Sequence, residues 1–174
     1  MPEAVLITGA SSGFGRDTAL LFNKKGWNVA ATMRSPENAK TWTGPAGLLT
    51  PRLDVTNRVS MQAAVDETAA KSGGIDVLIN NAGFALMGPL EGASAQDLRR
   101  EIDTNLTGLI EMTQLVLPLM RKAGSGVIVN VSSLGGRRST APRPMDPRAF
   151  ATLFLPSLFS TYATSEVRAD GARL

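Results

Sequence analysis

Apolar positions along the chain fall into short runs, separated by stretches in which apolar residues recur every three or four positions. Residues 4–8 form such a run and end in a glycine cluster; Ala19, Leu20, Phe22 and Trp27 then follow helical spacing, closed by Gly26. The alternation repeats. Residues 28–33, 51–55 and 75–80 read as strands and residues 59–70 as a helix. Leu98, Ile102, Leu106, Leu109, Thr113, Val116 and Met120 recur at three- and four-residue steps and predict one long helix, after which residues 126–132 read as a fifth strand. Strands separated by crossover segments imply a parallel sheet with helices on both faces, because parallel neighbours need right-handed crossovers. The expected class is therefore α/β, a doubly wound parallel sheet. After Ser133 the periodicity fails: residues 137–150 carry no convincing helix or strand, and residues 151–159 are a short apolar run of either kind.

Composition narrows the chemistry. The 174 residues contain no cysteine and no histidine, which removes disulfides, thiolate nucleophiles, zinc sites of the usual nitrogen and sulfur kind, and imidazole as a base. No metal site is expected. Met1-Pro2-Glu3 and the apolar run after it lack the basic flank and length of a signal peptide, and no run approaches the ~18 apolar residues that span a bilayer. A cytoplasmic protein without a membrane partner is expected. The net charge of +3 is unevenly placed: residues 1–136 hold 12 basic and 12 acidic side chains, whereas residues 137–174 hold six arginines against Asp146, Glu166 and Asp170. Four prolines lie among those arginines, and no aromatic platform is interleaved with them, so a solvated segment is favoured over a nucleic-acid site. Gly136 marks the boundary between residues 1–136, a dinucleotide-binding unit, and an Arg/Pro-rich tail, residues 137–174.

That binding assignment rests on Thr8-Gly9-Ala10-Ser11-Ser12-Gly13-Phe14-Gly15, between the first strand and the first helix. A Rossmann-type fold brings backbone N–H groups and a helix N-terminus against a pyrophosphate at this position. A glycine-rich turn alone also serves as an ordinary turn; its place in a βαβ unit is what points to a nucleotide. The Gly-Lys-Ser/Thr of a P-loop is absent, which argues against ATP or GTP. The second strand ends Thr32-Met33-Arg34, with no acid before Glu37. A carboxylate there would accept from the ribose 2′-hydroxyl of NADH and repel a 2′-phosphate, whereas the Arg34 guanidinium suits that phosphate. NADP(H) is expected over NAD(H), unless Arg34 is only a solvated loop residue.

The glycine turn, Asp54-Val55 ending the third strand, Asn80-Asn81-Ala82-Gly83 ending the fourth, Asn105 in the long helix, and Asn130-Val131-Ser132-Ser133 ending the fifth occur in that order. Together they resemble the short-chain dehydrogenase/reductase family over residues 1–136. The resemblance implies strand order 3-2-1-4-5 and a nicotinamide dinucleotide across the strand ends, with Asp54 and Val55 near adenine and Asn81, Ala82 and Gly83 alongside the cofactor. It implies hydride transfer to or from a carbonyl or alcohol substrate. In the family a tyrosine exchanges the proton, a lysine four residues on lowers its pKa, a serine holds the carbonyl and an asparagine completes a proton relay. Tyr162, Ser133 and Asn105 match the tyrosine, serine and asparagine.

Two features depart from the family. Glu166 stands where the lysine belongs, and on a helix it would raise the Tyr162 pKa. Ser133 and Tyr162 are 29 positions apart, longer than the family's spacing. The resemblance also implies two more strands and a substrate-covering loop beyond Leu174, so the fifth strand is expected to be a sheet edge. Homo-oligomers are usual in the family, but a chain lacking those strands is a doubtful oligomer. A non-catalytic nucleotide-binding remnant is the alternative to an active oxidoreductase.

Overall fold

The structure, a computed structural model, describes residues 2–41, 47–88, 90–132 and 165–166. Strand β1 (Ala4–Ile7) is followed by α1 (Gly13–Lys24), β2 (Asn28–Ala31), a 3-10 turn (Pro36–Thr41), β3 (Leu48–Leu49), α2 (Arg58–Ser72) and β4 (Val77–Asn80). Then come a second 3-10 turn (Leu90–Gly92), α3 (Ala95–Ile102), a π-helical turn (Asp103–Thr107), α4 (Gly108–Ala123), β5 (Val127–Asn130) and β6 (Ser165–Glu166). The sheet order is β3-β2-β1-β4-β5-β6, and the first five strands run parallel, as the expected crossover pattern requires. β1 lies centrally, Ile7 opposite Ala31 on one side and Ile79 on the other.

Three details differ from the sequence-based expectation. The third strand is Leu48–Leu49, earlier than residues 51–55, and the chain then makes an isolated bridge between Met33 and Arg52. Pro51 is the cause. It has no N–H to continue the ladder, although its carbonyl accepts from Met33 N at 3.3 Å and Leu53 N reaches Met33 O at 2.9 Å. The fifth strand is not a bare edge, because β6 pairs antiparallel with it, Glu166 opposite Val127 and Ser165 opposite Ile128. Glu166 is therefore in an extended segment and not in a helix, while Tyr162 lies outside the described residues.

The third difference lies in the long helix, which is interrupted. At the π turn Gly108 N donates to Asp103 O, five residues back, and this one-residue insertion rotates the buried stripe. Glu101, Gly108, Met112, Val116 and Met120 are the buried positions, while Ile102 is 37% exposed.

Alternation along the strands divides the core. Leu6, Leu78 and Ile128 pack with Met61, Met112, Val116 and Met120 beneath α2 and α4; Val5, Ile7 and Ile79 pack with Ala19 of α1 on the other face. Both α2 and α3 are capped by their own side chains, Asn57 Oδ1 accepting from Ser60 N at 3.0 Å and Ser94 Oγ from Asp97 N at 3.1 Å. No helix among the described residues is long and apolar enough to cross a membrane.

Candidate dinucleotide site

The turn between β1 and α1 is held from both neighbouring strands. Gly9 has φ +67°, and a Cβ there would come within 2.7 Å of Ala82 Cα, so only glycine lets the turn lie against the segment after β4. A Cβ at Gly15 would meet Gly9 O at 2.6 Å. Thr8 is buried, and its Oγ1 accepts from Asn81 N and Ala82 N, both at 3.0 Å. Asn81 Nδ2 donates back to Thr8 O at 2.9 Å and Gly9 O at 3.1 Å. On the other side Ala10 N donates to Thr32 O at 2.9 Å.

The outward side of the turn is open. Ser11, Ser12 and Phe14 are exposed, and Ser12 caps α1 without a side-chain bond to the helix, in contrast to Asn57 and Ser94. The first-turn N–H groups and a serine hydroxyl thus remain available to an anion.

A cleft of about 630 Å³ runs along the carboxyl ends of the strands. The turn contributes Gly9, Ser11, Ser12, Phe14 and Gly15; the end of β2 contributes Met33 and Arg34; residues 53–56 and 81–84 complete the floor and far wall. Of the residues expected to bind cofactor, this brings Gly9, Ser11, Ser12, Phe14, Gly15, Arg34, Asp54, Val55, Asn81, Ala82 and Gly83 together. Thr8 stands behind the wall, bonded as above, and Gly13 shapes the turn with φ +54° without lining the cleft. Asp54 Oδ1 accepts from Thr56 N at 2.9 Å and Thr56 Oγ1 at 2.7 Å, fixing the bend that leads into α2.

Arg34 is exposed on the rim. Its carbonyl accepts from Arg52 Nη1 at 2.6 Å, and Arg52 also pairs with Glu37 at 3.1 Å. The nearest acid in sequence is thus taken by Arg52, and the Arg34 guanidinium pairs with no carboxylate among the described residues.

A smaller cavity of about 230 Å³ adjoins the segment after β4 and is lined by residues 80–85, Asn105, Leu109, Val131 and Ser132. Asn105 sits in the π turn with both polar side-chain atoms on one backbone unit: Nδ2 donates to Phe84 O at 2.7 Å and Oδ1 accepts from Phe84 N at 3.0 Å. Its side chain holds the segment that separates the two cavities. One turn earlier Glu101 is fully buried; Oε1 accepts from Leu86 N at 3.4 Å, while Oε2 has no partner among the described residues. Burial pushes this carboxyl above its usual range, and the Leu86 N–H works in the opposite direction.

Ser133 and Tyr162, the expected serine and tyrosine, lie outside the described residues. Phe84, Thr56, Arg100 and Thr104 line the main cleft without having been singled out from sequence. Arg100 and Thr104 carried a readable signal, one helical turn apart just before Asn105. Glu101 did not, because the π turn that buries it has no local signature.

A parallel sheet of order 3-2-1-4-5 flanked by helices, with a glycine turn after its first strand, defines a Rossmann-type α/β protein. Comparison with known proteins sharpens this to a family. The short chain dehydrogenase family model matches residues 3–145. A 3-ketodihydrosphingosine reductase of Bacteroides thetaiotaomicron is 44% identical over 136 residues, covering 78% of this chain and 48% of the relative. An NADP-dependent 3-hydroxy acid dehydrogenase, YdfG, of Salmonella typhi is 42% identical over 135 residues, covering 76% of this chain and 54% of the relative. Among solved structures, the closed form of serine dehydrogenase complexed with NADP+ superposes with a TM-score of 0.73 at 37% identity, over 78% of this chain and 56% of that one. This chain belongs to the short-chain dehydrogenase family, and it spans about half the length of these two curated relatives.

Proposed function

We propose that this chain forms the NADP(H)-binding part of an oxidoreductase that transfers a hydride between the nicotinamide and a carbonyl or alcohol. The observation that carries the reading is the exposed Arg34 guanidinium, paired with no carboxylate among the described residues, on the rim of the cleft that the glycine turn opens. The residues fit the cofactor: Ser11, Ser12 and the start of α1 would hold the pyrophosphate, Arg34 the 2′-phosphate, and Asp54 and Val55 would flank the adenine. Two of the similar proteins are described by name as NADP-dependent or as bound to NADP+, which supports this preference. The bound cofactor would supply the hydride. Residues 1–136 form the nucleotide-binding unit in this reading, and residues 137–174 bring Tyr162.

Asn105 fixes Phe84 and with it the wall between the two cavities. Tyr162 is assigned proton exchange with the substrate oxygen and Ser133 the bond to that oxygen, both through the family resemblance. Glu166 stands where the family's lysine belongs, so that position supplies a carboxylate instead of an ammonium.

The test is titration of the chain with NADPH and NADH, followed by NADPH oxidation in the presence of small ketones, aldehydes and 3-oxo acids. Tighter binding of NADPH is expected, with slow turnover that Tyr162→Phe abolishes. Turnover that survives Tyr162→Phe would contradict the assignment of that residue, and failure to bind either dinucleotide would overturn the reading.

A further inference from the structure

We infer that Arg100 is a further cofactor-binding residue: a planar cation, seated on Phe84, that closes the adenine end of the cleft by stacking on the purine. The inference rests on the dinucleotide reading above and adds to it a residue that touches a different part of the cofactor from Arg34.

The placement follows from the helix. Gly108, at the start of α4, packs so closely on Val55 that a Cβ there would collide with the Val55 carbonyl. Thr104 and Arg100 precede Gly108 at four-residue steps, and both line the same cleft as Val55. Arg100 therefore reaches this cleft from α3, the helix that leads through the π turn to Gly108 against Val55, the residue assigned to adenine, whereas Arg34 reaches it from the end of β2.

The Arg100 guanidinium carbon lies 4.9 Å from the centroid of the Phe84 ring. That platform is itself fixed, since Asn105 clamps the Phe84 backbone at both N–H and carbonyl. Among the described residues no carboxylate pairs with Arg100. A guanidinium has two weakly hydrated faces; with one on Phe84, the other is available to a second π system. An ammonium is a compact, strongly hydrated charge and makes no such planar stack. Adenine is common to NADPH and NADH, so a contact to it cannot distinguish them.

The experiment measures dissociation constants of NADPH, NADH and reduced nicotinamide mononucleotide, which lacks adenine, for the unmodified chain and for Arg100→Met and Arg100→Lys. Thermal melting of each variant serves as the folding control and is expected to be unchanged, because Arg100 is exposed. Both substitutions should weaken NADPH and NADH by the same factor, roughly three- to thirtyfold, and leave the mononucleotide unaffected. Unchanged dinucleotide binding would overturn the inference. So would a loss confined to NADPH that Arg100→Lys restores, since Arg100 would then be a phosphate contact. If the unmodified chain bound neither dinucleotide, the site reading would fall and this inference with it; binding that ignores both substitutions removes the inference alone.

Discussion

The two sides of the cleft use their polar side chains differently. Around the glycine turn, Ser11, Ser12 and Arg34 are exposed, and their side chains make no hydrogen bond or ion pair among the described residues. Along the segment after β4, Thr8, Asn81, Asn105 and Glu101 all bond to backbone groups. The first set is left for a ligand; the second fixes the wall against which the ligand lies. Substitutions that break the backbone bonds of the second set should therefore lower stability, and those in the first should alter binding without doing so.

The largest effect is expected at the point where the two sides meet. Gly9→Val places a β-branched side chain at φ +67° and drives its Cβ into Ala82. The combined strain and overlap should cost about 3 kcal/mol or more, a fall in melting temperature of roughly 6–12 °C. A melting temperature within two or three degrees of the unmodified protein, seen by calorimetry, would mean that the turn does not lie against Ala82 as described.

Next are the bonded groups. Thr8→Val keeps the shape of the side chain but leaves Asn81 N and Ala82 N without their acceptor, and Asn105→Ala frees both polar groups of Phe84. Each should cost about 2 kcal/mol in denaturant titration. A loss of dinucleotide affinity at Asn105→Ala with unchanged stability would move Asn105 into the ligand-facing set and break the distinction.

Glu101 gives a smaller effect with a pH signature. Its folded pKa is raised, so the folded protein binds the proton more tightly than the unfolded chain does. Stability is highest below the unfolded carboxylate value and falls as pH rises from there towards the raised folded value, beyond which the deficit is constant. Glu101→Gln should remove that fall and gain about 1 kcal/mol at neutral pH, with no gain under acid conditions where the native carboxyl is already neutral. Equal effects at both pH values would show that the charge of Glu101 plays no part.

The fold was legible where local and long-range signals agreed. Apolar runs ending in Gly9, Asp54, Asn80 and Ser132 place the chain turns on one edge of the sheet, and so bring most of the cleft residues together from sequence alone. The misreadings share a physical origin, a feature that shifts register without changing composition. Pro51 moved the third strand back to Leu48–Leu49. The π turn exchanged Ile102 for Glu101 at the buried position, since one extra residue in a turn shifts the phase of the residues before it relative to those after it. Ser165–Glu166 offered no periodic pattern, being two residues long, and its pairing with β5 depends on tertiary contact alone.

Arg34 has the smallest expected effect on stability and decides the most. Its guanidinium is exposed and pairs with no carboxylate among the described residues, so Arg34→Ala should leave the melting temperature unchanged. Loss of a charge-assisted contact to the 2′-phosphate is worth on the order of 1.5–3 kcal/mol, so the dissociation constant of NADPH should rise roughly ten- to a hundredfold while that of NADH stays nearly constant. Parallel fluorescence titrations of the two cofactors against the unmodified chain and Arg34→Ala measure both quantities. Equal losses for NADPH and NADH, or none for either, would contradict a cleft built to hold NADP(H) through Arg34.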